Sequence, residues 1–346
     1  MDEMQVSVAP MMEWTTRHYR YLARLISPRT VLYTEMVVDQ TLVNVHKKGK
    51  SLSRWLAHHP EEEPLVLQLG GNDPDRLATS AKLARDLFDY REINLNVGCP
   101  SAKVCTNEFG ARLMMNPGLV GDIVSKMKEV SGLPITVKCR LGVDQFDDYE
   151  FVKTFIDQIP ECDHFIIHAR KCLLNGLSTS ANRSVPPLNY ERVYKLCEDY
   201  PDKSFTLNGG VTSVESMKRI MELCPNLHGI MIGREAYHNP CILAVIDHVF
   251  FKHPPVLTRR NVIEQYVEYG VQVLEEDPEN IRIMDIMKPL SNMFRDLPNA
   301  KLWRKSINQS ASRKEERIHD VRQVVSNALD LMNDQDLDAP IALTLE

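Results

Sequence analysis

Eight short apolar runs of strand type recur before residue 235, at 6–9, 31–34, 65–69, 93–96, 135–138, 164–167, 205–208 and 229–232. Each is closed by turn residues, and most are followed by a segment of helical period. Leu77, Ala81, Ala84, Leu87 and Phe88 fall on one such helix face, and Val120, Ile123, Val124 and Met127 on another. Strand alternating with helix eight times predicts an α/β fold, a parallel TIM (β/α)8 barrel. A doubly wound sheet would declare a glycine-rich turn after its first strand, and Ala9-Pro10-Met11-Met12 is not one. Past Pro254-Pro255 the pattern turns wholly helical. Val262, Ile263, Tyr266, Val267 and Gly270 share one helix face, Ile283, Ile286, Met287 and Leu290 a second, and Ile318, Val321, Val325, Ala328 and Leu329 a third. Pro289 is expected to kink or end the second helix, and the stretch after Asp334 to be a loose tail. The expected organisation is a barrel over 1–250 and a C-terminal all-helical domain over 251–346.

Composition narrows the partners. With 346 residues, 43% hydrophobic and 25% charged, the chain is long enough to bury a full core. A net charge of −6 means that any nucleic-acid site must be a local basic patch on an acidic body. The eight cysteines contain no Cys-x-x-Cys pair and have no histidine spacing suited to zinc, so no metal site is expected and the thiols read as reduced. Asp2 and Glu3 stand where a mitochondrial presequence would carry arginine, and no apolar run is long enough to cross a bilayer. A cytoplasmic monomer without membrane attachment is the expectation.

In a barrel of this kind chemistry gathers where strands end. The third strand ends in Gln68-Leu69-Gly70-Gly71 and the fourth in Asn94-Leu95-Asn96-Val97-Gly98-Cys99-Pro100. The fifth ends in Lys138-Cys139-Arg140, the sixth in His168-Ala169-Arg170-Lys171, the seventh in Asn208-Gly209-Gly210 and the eighth in Gly233-Arg234. Glycine turns after the last two strands, with Arg234 beside them, suit a phosphate group, although a Gly-Gly pair standing alone is more readily read as a tight turn. Lys138 can stabilise negative charge on a reduced isoalloxazine, Gln68 can bond its ring edge and His168 can contact the ring or its phosphate arm, a combination that suits FMN. Cys99 stands between Gly98 and Pro100, free of strand pairing. An unperturbed thiol, with a pKa of about 8.5, keeps its proton at neutral pH and can act as a general acid. The alternative for any cysteine is a buried structural thiol, the reading for Cys139, Cys162, Cys197, Cys224 and Cys241.

The segments Ala9 through Thr15, Asn94 through Ser101 with Phe109-Gly110, His168-Ala169-Arg170-Lys171, Asn182-Arg183-x-x-Pro186-Pro187-Leu188 and Gly233 through Tyr237 resemble the tRNA-dihydrouridine synthases, most closely their DusA-like branch. They run in the family's order over nearly the whole chain. The resemblance implies FMN held by Pro10, Met11, Met12, Gln68, Lys138, His168, Asn208, Gly209, Gly210, Gly233 and Arg234. It implies NADPH as electron donor and Cys99 as the catalytic proton donor, and tRNA contacts from Asn96, Arg183, Lys301, Arg304 and Lys305. The implied substrate is a D-loop uridine near position 20, with 20a as a further candidate, flipped out of its stack for reaction. The chain departs from the family at Asn107 and Glu108, where relatives often carry glycine and a neutral or basic residue, and at Cys139, where they often carry histidine.

The helical tail supplies Arg295, Lys301, Arg304, Lys305, Arg313, Lys314 and Arg317, with Trp303 interleaved. Cations hold phosphates and an aromatic ring can stack on a base. A solvated helix face with a packed tryptophan is the plainer alternative. Two competing functions share many of these features: a flavin-dependent reductase of a small molecule, and a tRNA-binding module that has lost its chemistry.

Overall fold

The computed structural model describes residues 4–279, 281–312 and 321–344. The chain divides into two compact units: Met1–Met12, Val31–Pro60 and Pro64–Gly233 form the first, and Glu13–Thr30, Glu61–Glu63 and Arg234–Glu346 the second.

The first unit is the parallel barrel. Its strands are β1 (Gln5–Val8), β2 (Leu32–Tyr33), β3 (Val37–Val38), β4 (Leu65–Gly70), β5 (Ile93–Asn96), β6 (Ile135–Val143), β7 (His164–Cys172), β8 (Ser204–Asn208) and β9 (Gly229–Ile232). They pair in the order β1-β9-β8-β7-β6-β5-β4-β2, with the two-residue β3 on the side against β4. Val8 donates to the Val31 carbonyl and Val31 to the Val6 carbonyl, both at 2.9 Å, which closes β2 onto β1. All eight expected strands are present in the ring. Asx and serine caps start the helices that return between them: Asp73 and Asn116, each followed by proline in the first turn, then Asp148, Asn189 and Ser213. Asp89 and Gly132 end the first two of those helices in the left-handed region.

β6 and β7 run beyond their expected ends, to Val143 and Cys172. Their pairing continues past a register shift between Arg140 and Gly142. A side chain at Gly142 would meet the Phe146 carbonyl oxygen at 2.5 Å, so the bulge needs glycine. Arg140, His168 and Arg170 therefore stand within strands, where their direction is fixed, and not on the loops that follow.

The second unit is helical. Arg259–Glu276, Ile283–Met287, Ala300–Ser312 and Val321–Leu329 are helices, and a 3-10 turn over Lys288–Asn292 takes over where Pro289 interrupts the second of them. Val262, Ile263, Tyr266, Val267 and Gly270 are buried as their periodicity required. The stretch after Asp334 is not a loose tail. It forms the helix Asp334–Asp338, Ile341 donates to the Leu257 carbonyl at 2.8 Å, and Ile341 and Leu337 are buried. Leu337, Ile341 and Ala342 turn inward there, while Leu343 stays 51% exposed. Among the described residues no helix is long and apolar enough to cross a membrane.

Candidate active site

At the carboxyl ends of the strands of the first unit lies a pocket lined by Pro10, Met11, Met12, Gln68, Asn96 and Cys99, with Lys138, His168 and Arg183 and four residues outside the expected site set: Met36, Gly98, Pro100 and Arg140. Nine of the expected site residues thus meet in one place. Met12 is 57% exposed, so the apolar wall after β1 is open to a ligand. Below the pocket the barrel interior is closed by an apolar cluster of Ala9, Tyr33, Val66, Ile166 and Met231.

The loop carrying Cys99 is held from two sides. The Asn96 side-chain oxygen accepts from the backbone N–H groups of Gly98 at 3.2 Å and Cys99 at 3.0 Å. Arg140, 2% exposed, donates through Nε to the Gly98 carbonyl at 2.9 Å, and through Nη1 to the carbonyls of Lys171 and Asn182 at 3.1 and 3.0 Å. One guanidinium therefore ties the Cys99 loop to the loop bearing Arg183. Cys99 is the only half-exposed thiol of the eight, and the five cysteines read as structural are buried. Cys105 and Cys172 are buried as well.

Lys138 donates from Nζ to the Asn208 side-chain oxygen at 3.0 Å, and Asn208 in turn donates to the Met231 carbonyl at 2.8 Å. Burial, reinforced by the nearby Arg140, pushes Lys138 down to about 7, so it changes charge near neutrality. His168 is held well below the usual histidine range by burial and then by Arg140 and Lys138, and is neutral. Gly209 has φ +112, and a side chain there would meet His168 Cδ2 at 2.6 Å; Gly210 has φ +72 and would meet Leu188 at 2.5 Å. The Gly-Gly pair is thus both a turn and a close approach of bare backbone to the imidazole. Gly233 follows β9 without crowding.

Arg234, Lys301, Arg304 and Lys305 belong to the second unit. The last three lie on one exposed face of helix Ala300–Ser312, at i, i+3 and i+4. Trp303 does not share that face. It is fully buried, donates from Nε1 to the Leu290 carbonyl at 2.8 Å and meets Phe294 edge to face at 4.7 Å, so it is a core residue and no platform for a base. Arg313, Lys314, Arg317 and Ile318 lie outside the described residues. Asn182 is a loop clamp: its side chain exchanges hydrogen bonds with both backbone groups of Leu173, at 2.8 and 2.9 Å. Glu108 is occupied by Arg112 at 3.6 Å.

Strand parity could have pointed to Arg140, because residues 138 and 140 must share one face of β6. Met36 offered no such signal. A thiol, a lysine that titrates near neutrality and a neutral imidazole, opening together at the carboxyl-terminal mouth of a parallel barrel, define a barrel enzyme. The dihydrouridine synthase (Dus) family model matches residues 7–330, and the chain belongs to that family and is an oxidoreductase. It is 45% identical over 311 residues to the tRNA-dihydrouridine(20/20a) synthase of Shewanella oneidensis, covering 88% of each chain. It is 42% identical over 326 residues to that of Vibrio vulnificus, covering 93% of this chain and 96% of the relative. It is also 42% identical over 337 residues to that of Escherichia coli K12, covering 95% and 92%.

Proposed function

We propose that the chain is an FMN-dependent tRNA-dihydrouridine synthase that reduces a D-loop uridine at position 20 or 20a, with NADPH as electron donor. The observation that carries this reading is the convergence of Cys99 and Lys138 on one pocket. The donor set suits FMN: a cation in Lys138, an amide edge in Gln68, bare glycine backbone at Gly209 and Gly210 beside His168, and an open apolar wall at Pro10, Met11 and Met12. Asn208 orients Lys138, and Gly233 with Arg234 follows β9 where barrels often keep a phosphate. When bound, FMN supplies the hydride delivered to C6 of the uracil. Cys99 carries the proton for C5, and its loop is fixed by Asn96 and Arg140 so that the thiol faces the pocket without rearrangement. Asn96 and Arg183 take the flipped nucleotide at the pocket, while Lys301, Arg304 and Lys305 bind phosphates from the helical domain, 251–346.

Incubation of the purified protein with NADPH and unmodified tRNA, followed by mapping of dihydrouridine, tests the proposal. Dihydrouridine in the D-loop is the expected result. A yellow protein that oxidises NADPH and leaves tRNA untouched would move the reading to a small-molecule reductase.

A further inference from the structure

We propose that Glu92, Thr136 and Asn94 form a positioning chain that sets which way the amides of Gln68 and Asn96 face at the pocket wall, and through Asn96 holds the Cys99 loop. The proposal rests on the pocket being the active site. It starts from strand parity: Glu92, Asn94 and Asn96 share one face of the β5 segment, Thr136 lies on the same face of β6, and the register pairs Gln68 with Asn94 and Asn94 with Thr136. The hydrogen bonds then run in a single direction. The Thr136 hydroxyl donates to Glu92 Oε1 at 3.1 Å and accepts from Asn94 Nδ2 at 3.0 Å. Asn94 Oδ1 accepts from Gln68 Nε2 at 2.8 Å, and Gln68 Oε1 accepts from Asn96 Nδ2 at 2.9 Å. Asn96 Oδ1 accepts from the Gly98 and Cys99 backbone amides.

Both ends of the chain are one-way. A backbone N–H can only donate, and an ionised carboxylate can only accept. Burial raises the Glu92 carboxyl to about 6 and the Thr136 bond opposes that rise, so it is ionised at pH 8. Because a hydroxyl has one hydrogen, Thr136 must spend it on Glu92 and present lone pairs to Asn94. That requirement passes upward through Asn94 and Gln68 and meets, without conflict, the requirement set from above by the Cys99 loop. Turning any one amide over would set donor against donor on one side and acceptor against acceptor on the other. The amide order at Gln68 and Asn96, the two members of the chain that line the pocket, is therefore fixed from both ends, by the Cys99 loop above and by the Glu92 carboxylate just before β5 below. Gln68 turns its oxygen, and Asn96 its nitrogen, to their shared hydrogen bond.

The test uses the full-length holoenzyme and three variants. Thr136→Val keeps the shape and removes the hydroxyl; Thr136→Ser restores it; Glu92→Gln keeps the volume but can donate as well as accept. Hydrogen exchange at the Gly98–Cys99 amides, in flavin-free protein, is expected to accelerate about tenfold in Thr136→Val, the factor expected for loss of about one hydrogen bond. Glu92→Gln should show threefold or more and Thr136→Ser no change, with exchange within β7 and β8 unaffected in all three. In the loaded protein FMN affinity should weaken about tenfold in Thr136→Val and recover in Thr136→Ser. Exchange and affinity in Thr136→Val equal to those of Thr136→Ser would overturn the proposal. If Thr136→Val does not fold, Glu92→Gln decides, and wild-type exchange at Gly98–Cys99 in that variant would overturn it as well. A wild-type protein that takes up no FMN would sink the flavin reading instead, and the exchange result would still decide the chain.

Discussion

In the proposed reaction Cys99 and Lys138, which line one pocket, divide the chemistry between them, and each can be removed without removing the other. Cys99→Ala is expected to retain FMN and NADPH oxidation while dihydrouridine formation falls by about 100-fold or more, the usual scale for a positioned general acid. Full activity in that variant would remove the thiol from the acid role. Lys138 makes a prediction about pH. Its folded-state value is depressed to about 7 by burial, so it is charged below that pH and neutral above it. Binding an anionic, reduced flavin beside it favours the charged form, so affinity for the reduced cofactor should fall as pH rises from about 7, by at most about tenfold per unit. In Lys138→Met the same titration should be flat. A sloping profile in the variant would place the titrating group elsewhere. His168 is neutral throughout this range and adds no charge change of its own.

At the level of elements, loops gain their precision from groups buried in the strands beneath them. Arg140 is the clearest case, since one guanidinium satisfies carbonyls on the Cys99 loop, on β7 and on the loop bearing Arg183. Arg140→Lys keeps the charge but has no fork to reach three acceptors. It should lower turnover by about tenfold or more and reduce thermal stability, because each carbonyl left dry costs about 1–3 kcal/mol. Melting curves and single-turnover rates check both effects. A variant with wild-type turnover would show that the two loops hold themselves. The turn after β8 is similar in kind. Gly209 combines a left-handed φ with backbone packed onto His168, so Gly209→Ala should cost about 1–3 kcal/mol and weaken FMN binding. Pro289 and the 3-10 turn it starts lie under Trp303, whose indole N–H bonds to the Leu290 carbonyl.

For the whole molecule, the proposed binding to a polyanion has to coexist with a net charge of −6. The exposed face of helix Ala300–Ser312 concentrates Lys301, Arg304 and Lys305 on one side while Trp303 and Ile307 turn into the core. Charge is local there even though the molecule is acidic. Replacing the three cations with alanine should raise the Kd for tRNA and flatten its dependence on log salt by about one unit for each phosphate no longer neutralised. NADPH oxidation without tRNA should stay unchanged. An unaltered salt slope would assign phosphate binding to other residues.

Much of this protein is written locally in its chain. All eight barrel strands stand where short apolar runs meet turn residues, because burial on both faces and glycine or proline punctuation are properties of a few adjacent residues. Cys99 between Gly98 and Pro100 and the Gly209-Gly210 turn were legible for the same reason, while Lys138, expected at a strand end, lies within β6. Other features depend on partners far apart in sequence. Residues 34 and 136 become neighbours of Gln68 and Asn94 only through strand register. Arg140 gains its role only when the loops at 98 and 182 arrive beside it. Trp303 becomes core and not a stacking surface once Phe294 and Leu290 close over it, and the stretch after Asp334 gains structure only by docking on residues near 257. The sequence by itself determined where the strands stand, since that follows from local period. Only the tertiary structure decided which hydrogen bonds hold them there, since register and loop closure join groups that no local pattern connects.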